Sequence, residues 1–412
     1  MSSRTVFAVA LVFALAILAA MPLYGSGVRI VRLSYASGDV RLARSADAKP
    51  EAAILNTPIV EGSRLVAGED GLAEIEFENG SVVRVAGPAE ISFDHLGVNA
   101  DNGHVNGIVV VRGTVYAHVK PQKHDEYSFT VSGNQTLVLE HSAHLRIQAG
   151  EQAASVAVMD GEAELRSGGN AQSIRKSESL TVARGGEVQP LARNIAPGHF
   201  DAWDAKRDHT HEAELARLQR DPYGSAYQGY GAAELGNYGA YTFIPGFGAM
   251  WRPFGFGMDW SPFSYGAWGM YPGFGWTYIS AYPWGWAPYR YGGWYWFNDY
   301  GWMWGPGNYS LASWSAVPVI SSKPPGFASL HAPVSTTTTT LLVGNPPLAV
   351  RGAGSIQMMP RSEQNAMAGP RGAHTQPIGG SGQAGSTGSM QTSTPSHTST
   401  GMSTGGGHTS HK

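Results

Sequence analysis

From Val28 to Leu191 apolar and polar residues alternate in short runs, the period-2 pattern of strands that turn one face to a core. In Ala73-Glu-Ile-Glu-Phe-Glu78 the apolar Ala73, Ile75 and Phe77 share one face, and Glu74, Glu76 and Glu78 share the other. Asn79-Gly80 accepts the positive φ angles of a tight hairpin, and Val83 and Val85 resume the alternation on the returning strand. The pattern predicts Ile75, Phe77, Val83 and Val85 in the core and the three glutamates in solvent, so that Glu76 is dispensable for stability. Further runs at 108–111, 115–119, 129–131, 137–139, 145–147, 156–158, 163–165 and 180–182 are punctuated by Asp160-Gly161, Gly168-Gly-Asn170 and Gly185-Gly186. Strands this short, with no helical period between them, predict an all-β domain over 27–192, either a sandwich or a solenoid-like roll.

The period changes after Pro197-Gly198. Phe200, Trp203, Leu215 and Leu218 fall on one stripe at 100° per residue and Asp221-Pro222 ends it, which predicts one helix over 197–221. Asp201 and Asp204 near its start and Arg217 and Arg220 near its end complement the helix dipole. Arg207 and His211 interrupt the apolar seam, so the helix reads as a linker that docks its two ends on neighbouring domains.

From 223 to 315 the pattern becomes an aromatic repeat. Tyr238-Gly-Ala-Tyr241 leads to Pro245-Gly-Phe-Gly248, Tyr265-Gly-Ala-Trp268 to Pro272-Gly-Phe-Gly-Trp276, and Tyr291-Gly-Gly-Trp294 to Asp299-Tyr-Gly-Trp302. Eleven of the twelve tryptophans lie between Trp251 and Trp314, and the only charged residues of 236–320 are Arg252, Asp259, Arg290 and Asp299, so this module must pack on itself or on a partner. Stacked aromatic β-hairpins are predicted, with 287–304 as the best-formed unit turning at 298–301. Trp294 and Trp296 are read as lying on opposite faces of one strand, one structural and the other open to a ligand. The rings serve either as core or as stacking platforms. The candidate ligand-binding set is Trp268, Trp276, Trp284, Trp286, Tyr289, Tyr291, Trp294, Trp296, Trp302 and Trp304. Beyond 316 periodicity is lost, and Gly, Ser, Thr, Gln and Pro dominate from Arg351, predicting a disordered low-complexity tail over 316–412.

Charge and composition narrow the chemistry. A formal net charge of -3, with no basic stripe, gives nothing to neutralise phosphates and argues against nucleic-acid binding. The absence of cysteine excludes disulfides, thiolate nucleophiles and zinc–thiolate sites. Arg4 followed by the apolar run 6–23 reads as an export signal over 1–26, either cleaved or kept as a membrane anchor. The chain is therefore expected outside the cytoplasm, in the periplasm or cell envelope: secreted if the signal is cleaved, anchored in the inner membrane by its N-terminal segment if not. His141 and His144 point to opposite faces of a strand, and His209 and His211 do not share a helix face, so no metal set is expected. No P-loop, His-Glu-x-x-His, Gly-x-Ser-x-Gly or dinucleotide fingerprint is present, and neither an enzyme nor a cofactor is expected.

The strand-rich region resembles the FecR domain of bacterial envelope proteins over roughly 36–186. The phrases that carry the resemblance are Pro58-Ile-Val-Glu-Gly-Ser-Arg-Leu65, Gly71-Leu-Ala-Glu-Ile-Glu-Phe77, Asn79-Gly-Ser-Val-Val-Arg-Val85, Val111-Arg-Gly-Thr-Val115, Tyr127-Ser-Phe-Thr-Val131 and Val158-Met-Asp-Gly-Glu-Ala163. The resemblance implies a solenoid-like all-β extracytoplasmic domain. Phe200-Asp-Ala-Trp203 and Pro283-Trp-Gly-Trp-Ala-Pro-Tyr-Arg-Tyr-Gly292 resemble the Trp/Tyr-rich region of unknown function that follows FecR domains in some exported proteins. Gly285-Trp286 with Gly292-Gly-Trp-Tyr-Trp296 is also similar to choline-binding hairpin repeats. The leading functional expectation is non-catalytic binding or scaffolding at the cell surface. Cell-wall polymer or carbohydrate is the favoured partner, followed by self-association or an envelope protein. The alternative is a membrane-anchored FecR-type signal-transduction regulator without its own cytoplasmic anti-sigma domain, since only Met1-Ser-Ser-Arg4 precedes the apolar run.

Overall fold

The alternation read from the sequence becomes fifteen strands joined in one sheet. The computed structural model describes residues 29–133, 135–271, 274–307 and 315–321 and the backbone of 342–343. The expected export signal at 1–26 and most of the expected tail at 316–412 lie outside the described residues. Among the described residues no helix is long and apolar enough to cross a membrane.

The first strands are β1 (Val31–Ser37), β2 (Val40–Ala43), β3 (Glu51–Ala52), β4 (Pro58–Ile59), β5 (Arg64–Ala67), β6 (Leu72–Glu76), β7 (Val82–Val98) and β8 (His104–Val119). They are followed by β9 (Glu126–Val131), β10 (Gln135–Leu139), β11 (Ala143–Ala149), β12 (Ala153–Asp160), β13 (Glu162–Ser167), β14 (Asn170–Arg175) and β15 (Glu178–Ala183). The long β7–β8 hairpin is the spine. Its open end pairs with β6 and β11, the part nearer its turn with β5 and β9, and within this sheet β8 with β9 is the one parallel pair among the described residues. The spine bends where the register slips between Ala86 and Glu90. Gly113 sits at that bend with φ +94, and a Cβ there would meet Ala89 at 2.4 Å, so the close approach requires glycine. The bend rolls the sheet around one aliphatic core that includes Ile75, Phe77, Val83, Val85, Ile91, Val115, Phe129, Ile147 and Val156.

The other face of β6 departs from expectation. Glu74 and Glu76 are buried and Glu78 is half-buried, because this is the face on which the helix and the aromatic module sit. Glu76 accepts from both Nε and Nη2 of Arg32, and Glu78 pairs with Arg29 at 2.9 Å, so Glu76 is a buried ion-pair partner rather than the solvated residue its position predicts.

Helix α1 (Asp201–Arg220) follows, and its seam is more polar than the stripe suggested. Asp204, Glu214 and Leu218 are buried, whereas Leu215 is exposed and Phe200 and Trp203 are half-buried. A short α2 (Ala233–Tyr238) crosses it at Gly236, where a Cβ would lie 2.6 Å from the Leu218 nitrogen.

The three aromatic phrases form three hairpins: β16 (Gly239–Ile244) with β17 (Gly248–Pro253), β18 (Gly266–Tyr271) with β19 (Gly275–Ser280), and β20 (Gly293–Phe297) with β21 (Gly301–Gly305). Gly248, Gly275 and Gly301 hold the equivalent place after each turn, all with positive φ, which explains the repeat's invariant glycine. The first and third hairpins join side by side through β17 and β21, and β22 (Ile320–Ser321) adds to β20. The second hairpin forms its own sheet with β23 (Leu342–Val343). Both sheets feed one aromatic core. Trp294 pairs with Trp304 and Trp296 with Trp302 across the third hairpin. Residues two apart on a strand share a face, so the expected split of Trp294 and Trp296 between opposite faces is wrong.

Candidate functional site: a buried charge clasp between sheet and helix

Cross-strand pairing lines up polar residues on the outer face of the roll. Glu74, Arg84, Tyr116 and Arg146 are successive partners across β6, β7, β8 and β11, and His118 faces His144 in the next row. Helix α1 answers with Asp201, Asp204 and Asp208, whose spacing of three and four places them on one helical face. Asp201 accepts from Tyr116 Oη at 2.8 Å and Arg146 Nη1 at 2.6 Å. Asp204 accepts from Arg84 Nη1 at 2.7 Å and meets the Nε2 atoms of His118 and His144 at 3.0 and 2.9 Å. Arg84 also reaches Glu74 and Asp208, each at 2.7 Å, and Arg207 returns to Glu74 at 2.8 Å while lying 4.4 Å over the Tyr35 ring.

Burial alone would raise the Asp204 carboxyl, but the bonds from His118, His144 and Arg84 outweigh it and hold this group well below the usual carboxylate range. Burial of Glu74 is likewise outweighed, by Arg207 and Arg84, which hold it down to about 2. Both carboxylates are therefore ionised partners of buried guanidiniums.

A second junction joins the roll to the aromatic module. Arg32 bridges Glu76 and Glu234 and lies over the rings of Tyr230 and Trp286, 5.3 and 5.8 Å from their centroids. Asn56 adopts φ +61 and donates both amide hydrogens, to the carbonyls of Ser280 at 2.9 Å and Tyr282 at 2.8 Å. Tyr230 Oη donates to the Glu76 carbonyl at 2.5 Å. Beside this junction a groove of about 410 Å³ runs between the β6–β7 turn, the last turns of α1 and the segment 224–233.

Where α1 meets α2, Glu214 is buried and accepts from Asn237 Nδ2 at 3.2 Å. Burial, reinforced by Glu234, pushes its carboxyl up to about 8. An acid whose folded value is raised contributes stability that is complete below the ordinary carboxylate range and is lost as pH rises through about 8. The melting temperature of the wild type should therefore fall from the ordinary carboxylate range, near pH 4.5, up to about pH 8 and level off above it, and Glu214→Gln should remove part of that fall. Parallel pH profiles for the two proteins would show that Glu214 is not held neutral.

The aromatic residues singled out from the sequence are brought together, chiefly as core. Trp268, Trp276, Trp284, Trp286, Tyr289, Tyr291, Trp294, Trp302 and Trp304 are buried and Trp296 is half-buried. Trp284 stacks on Tyr282 at 4.7 Å, and Trp260 packs edge-on against Trp284 and Trp294. His141 and His144 do separate, His141 being exposed in the turn before β11. The pairing the sequence did not reveal is His144 with His118, whose rings stack at 3.5 Å beside Asp204. The readable signal was charged and polar residues recurring at the outward positions of neighbouring strands, together with the spacing of Asp201, Asp204 and Asp208.

Residues 63–164 match the family model described as FecR protein, and residues 232–332 match a family of unknown function, DUF6600. No curated protein matches the chain. Two crystal structures of a candidate anti-sigma factor from Parabacteroides distasonis ATCC 8503 are similar at 10% and 11% identity, with TM-scores of 0.27 and 0.28. The matches cover 37% and 39% of this chain and span 64% and 70% of theirs. The chain thus carries a FecR domain and a DUF6600 region, clasped to one another through α1, Arg84 and Arg32.

Proposed function

We propose that the chain is a non-catalytic regulator of FecR type that works on the extracytoplasmic side of a bacterial envelope. The observation that carries this reading is the FecR domain over 63–164. Its polar sheet face is committed to a fixed contact with α1, and the contact ties it to the aromatic module. A binding event at the module would reach the FecR sheet through Arg32 and α1, the arrangement a relay needs. The burial of nine of the ten candidate aromatic residues supports a structural role for most of them rather than service as ligand platforms.

The test is deletion of the gene followed by transcript profiling, with complementation. A discrete set of transcripts should change and be restored by the wild-type chain, and externally added protease should digest the chain in intact spheroplasts. An unchanged transcript profile across envelope stresses, or full protease protection while a periplasmic control is cut, overturns the reading. A second reading, binding of cell-wall polymer or carbohydrate, is favoured by half-buried Trp296 and by Phe243 and Phe247, exposed at 54% and 50%. Retention of the full chain on peptidoglycan or a neutral polysaccharide would support it.

A further inference from the structure

We propose that His118, His144 and Asp204 form a binding site for a divalent transition metal of the zinc class, which staples α1 to the FecR sheet. Nothing in the regulatory reading requires this site, and it rests on separate observations. Oδ2 of Asp204 lies 3.0 Å from Nε2 of His118 and 2.9 Å from Nε2 of His144, and all three ligand atoms fall within 4.8 Å of one another. Tetrahedral zinc, with bonds of about 2.0–2.2 Å to imidazole nitrogen and carboxylate oxygen, sets neighbouring ligand atoms about 3.3 Å apart. These oxygen–nitrogen gaps need to open by only a few tenths of an ångström.

The surroundings suit a cation. Glu74, Asp201, Asp204 and Asp208 face Arg84, Arg146 and Arg207, four negative charges against three positive, so one negative charge is unmatched by fixed cations. Asp208 approaches Nδ1 of His118 at 3.4 Å, the outer carboxylate that orients a ligating imidazole and leaves Nε2 for the metal. Two imidazoles with one carboxylate select zinc-class ions over magnesium or calcium, which take all-oxygen sets. The imidazoles stack at 3.5 Å with 28° between their planes, so the rings have to swing apart for their lone pairs to converge on one ion. Their side chains are 15% and 25% exposed, which leaves the solvent side open for that movement and for water as a fourth ligand. Arg84 Nη1 lies 3.2 Å from Nε2 of His118, yet the guanidinium keeps Glu74, Asp208 and both Oδ1 and the carbonyl of Asp204 when the ring turns away.

The test uses the full chain stripped with a chelator, with His374, His397, His408 and His411 replaced by alanine to remove uptake by the C-terminal histidines. Zinc titration should show one saturable site per chain and a rise in melting temperature of several degrees at about a hundredfold excess over Kd. His144→Ala should abolish both effects, whereas His141→Ala, in the turn three residues away, should change neither. Cobalt(II) needs no change at the site: intense visible bands of a tetrahedral nitrogen–oxygen complex support the proposal even if His144→Ala does not fold. Absence of saturable binding, weak octahedral cobalt bands, or unchanged binding by folded His144→Ala overturns it.

Discussion

Arg84→Ala is expected to destabilise the chain by about 3–5 kcal/mol, because it removes the cation shared by the buried Glu74 and Asp204 and the more exposed Asp208. Arg84 is 2% exposed and meets Glu74, Asp204 and Asp208 with a different nitrogen each. Removing it leaves Asp204 with only the two imidazoles and Glu74 with only Arg207. Urea unfolding followed by tryptophan fluorescence measures the loss, and limited proteolysis locates it. Cleavage should appear first within α1, since the FecR core of Ile75, Phe77, Val83 and Val85 does not use the clasp. A variant within about 1 kcal/mol of wild type, with α1 still protected, would mean that the ion pairs merely accompany the docking. The low-pH limb should share this origin. Glu74 and Asp204 are depressed, so their contribution is complete above the ordinary carboxylate range and is lost as pH falls toward their folded values, opposite in sign to Glu214.

The FecR strands were legible because alternation is a local signal. Ile75 and Phe77 face the core as their spacing requires, and Gly80 takes φ +77 in the turn that Asn79-Gly80 announced. What covers the opposite face is not local. Glu74, Glu76 and Glu78 read as a solvated stripe because period 2 assigns faces without naming their neighbours, and the residues that pair with them range from Arg29 to Arg207. Arg84 and Asp204 are 120 residues apart, a separation over which no spacing rule operates. The helix stripe failed for a related reason: a periodicity search scores apolar residues, whereas this seam includes Asp204 and Glu214, acceptable inside because the sheet supplies an arginine and two histidines to Asp204 and α2 supplies Asn237 to Glu214. The aromatic hairpins were legible because a glycine at positive φ recurs with each phrase. Their assembly was not, since the second hairpin has the same local grammar as the other two but joins a separate sheet.

The aromatic module offers the other large effect, and the corrected strand register changes where it falls. Trp294 and Trp296 lie on the same face of β20, so they differ by depth along the strand rather than by side. Trp294 has no exposed surface and packs against Trp260, Trp284 and Tyr289, with Trp304 directly opposite. Trp296, two residues nearer the turn, is half-buried and meets Trp302 edge-on at 5.6 Å. Trp294→Ala should cost about 3–5 kcal/mol, the loss for a large aromatic side chain whose cavity cannot collapse among rigid rings. Trp296→Ala should cost less than half of that, since water already covers part of the ring. Denaturant midpoints compared at equal slope measure the difference, and near-ultraviolet circular dichroism should lose its aromatic bands mainly in Trp294→Ala. If the two variants lose stability equally, the depth difference along β20 does not exist in solution. If Trp296→Ala instead keeps full stability but lowers retention on a polysaccharide that the wild type binds, the half-buried ring is a platform, and the module does more than hold its own fold.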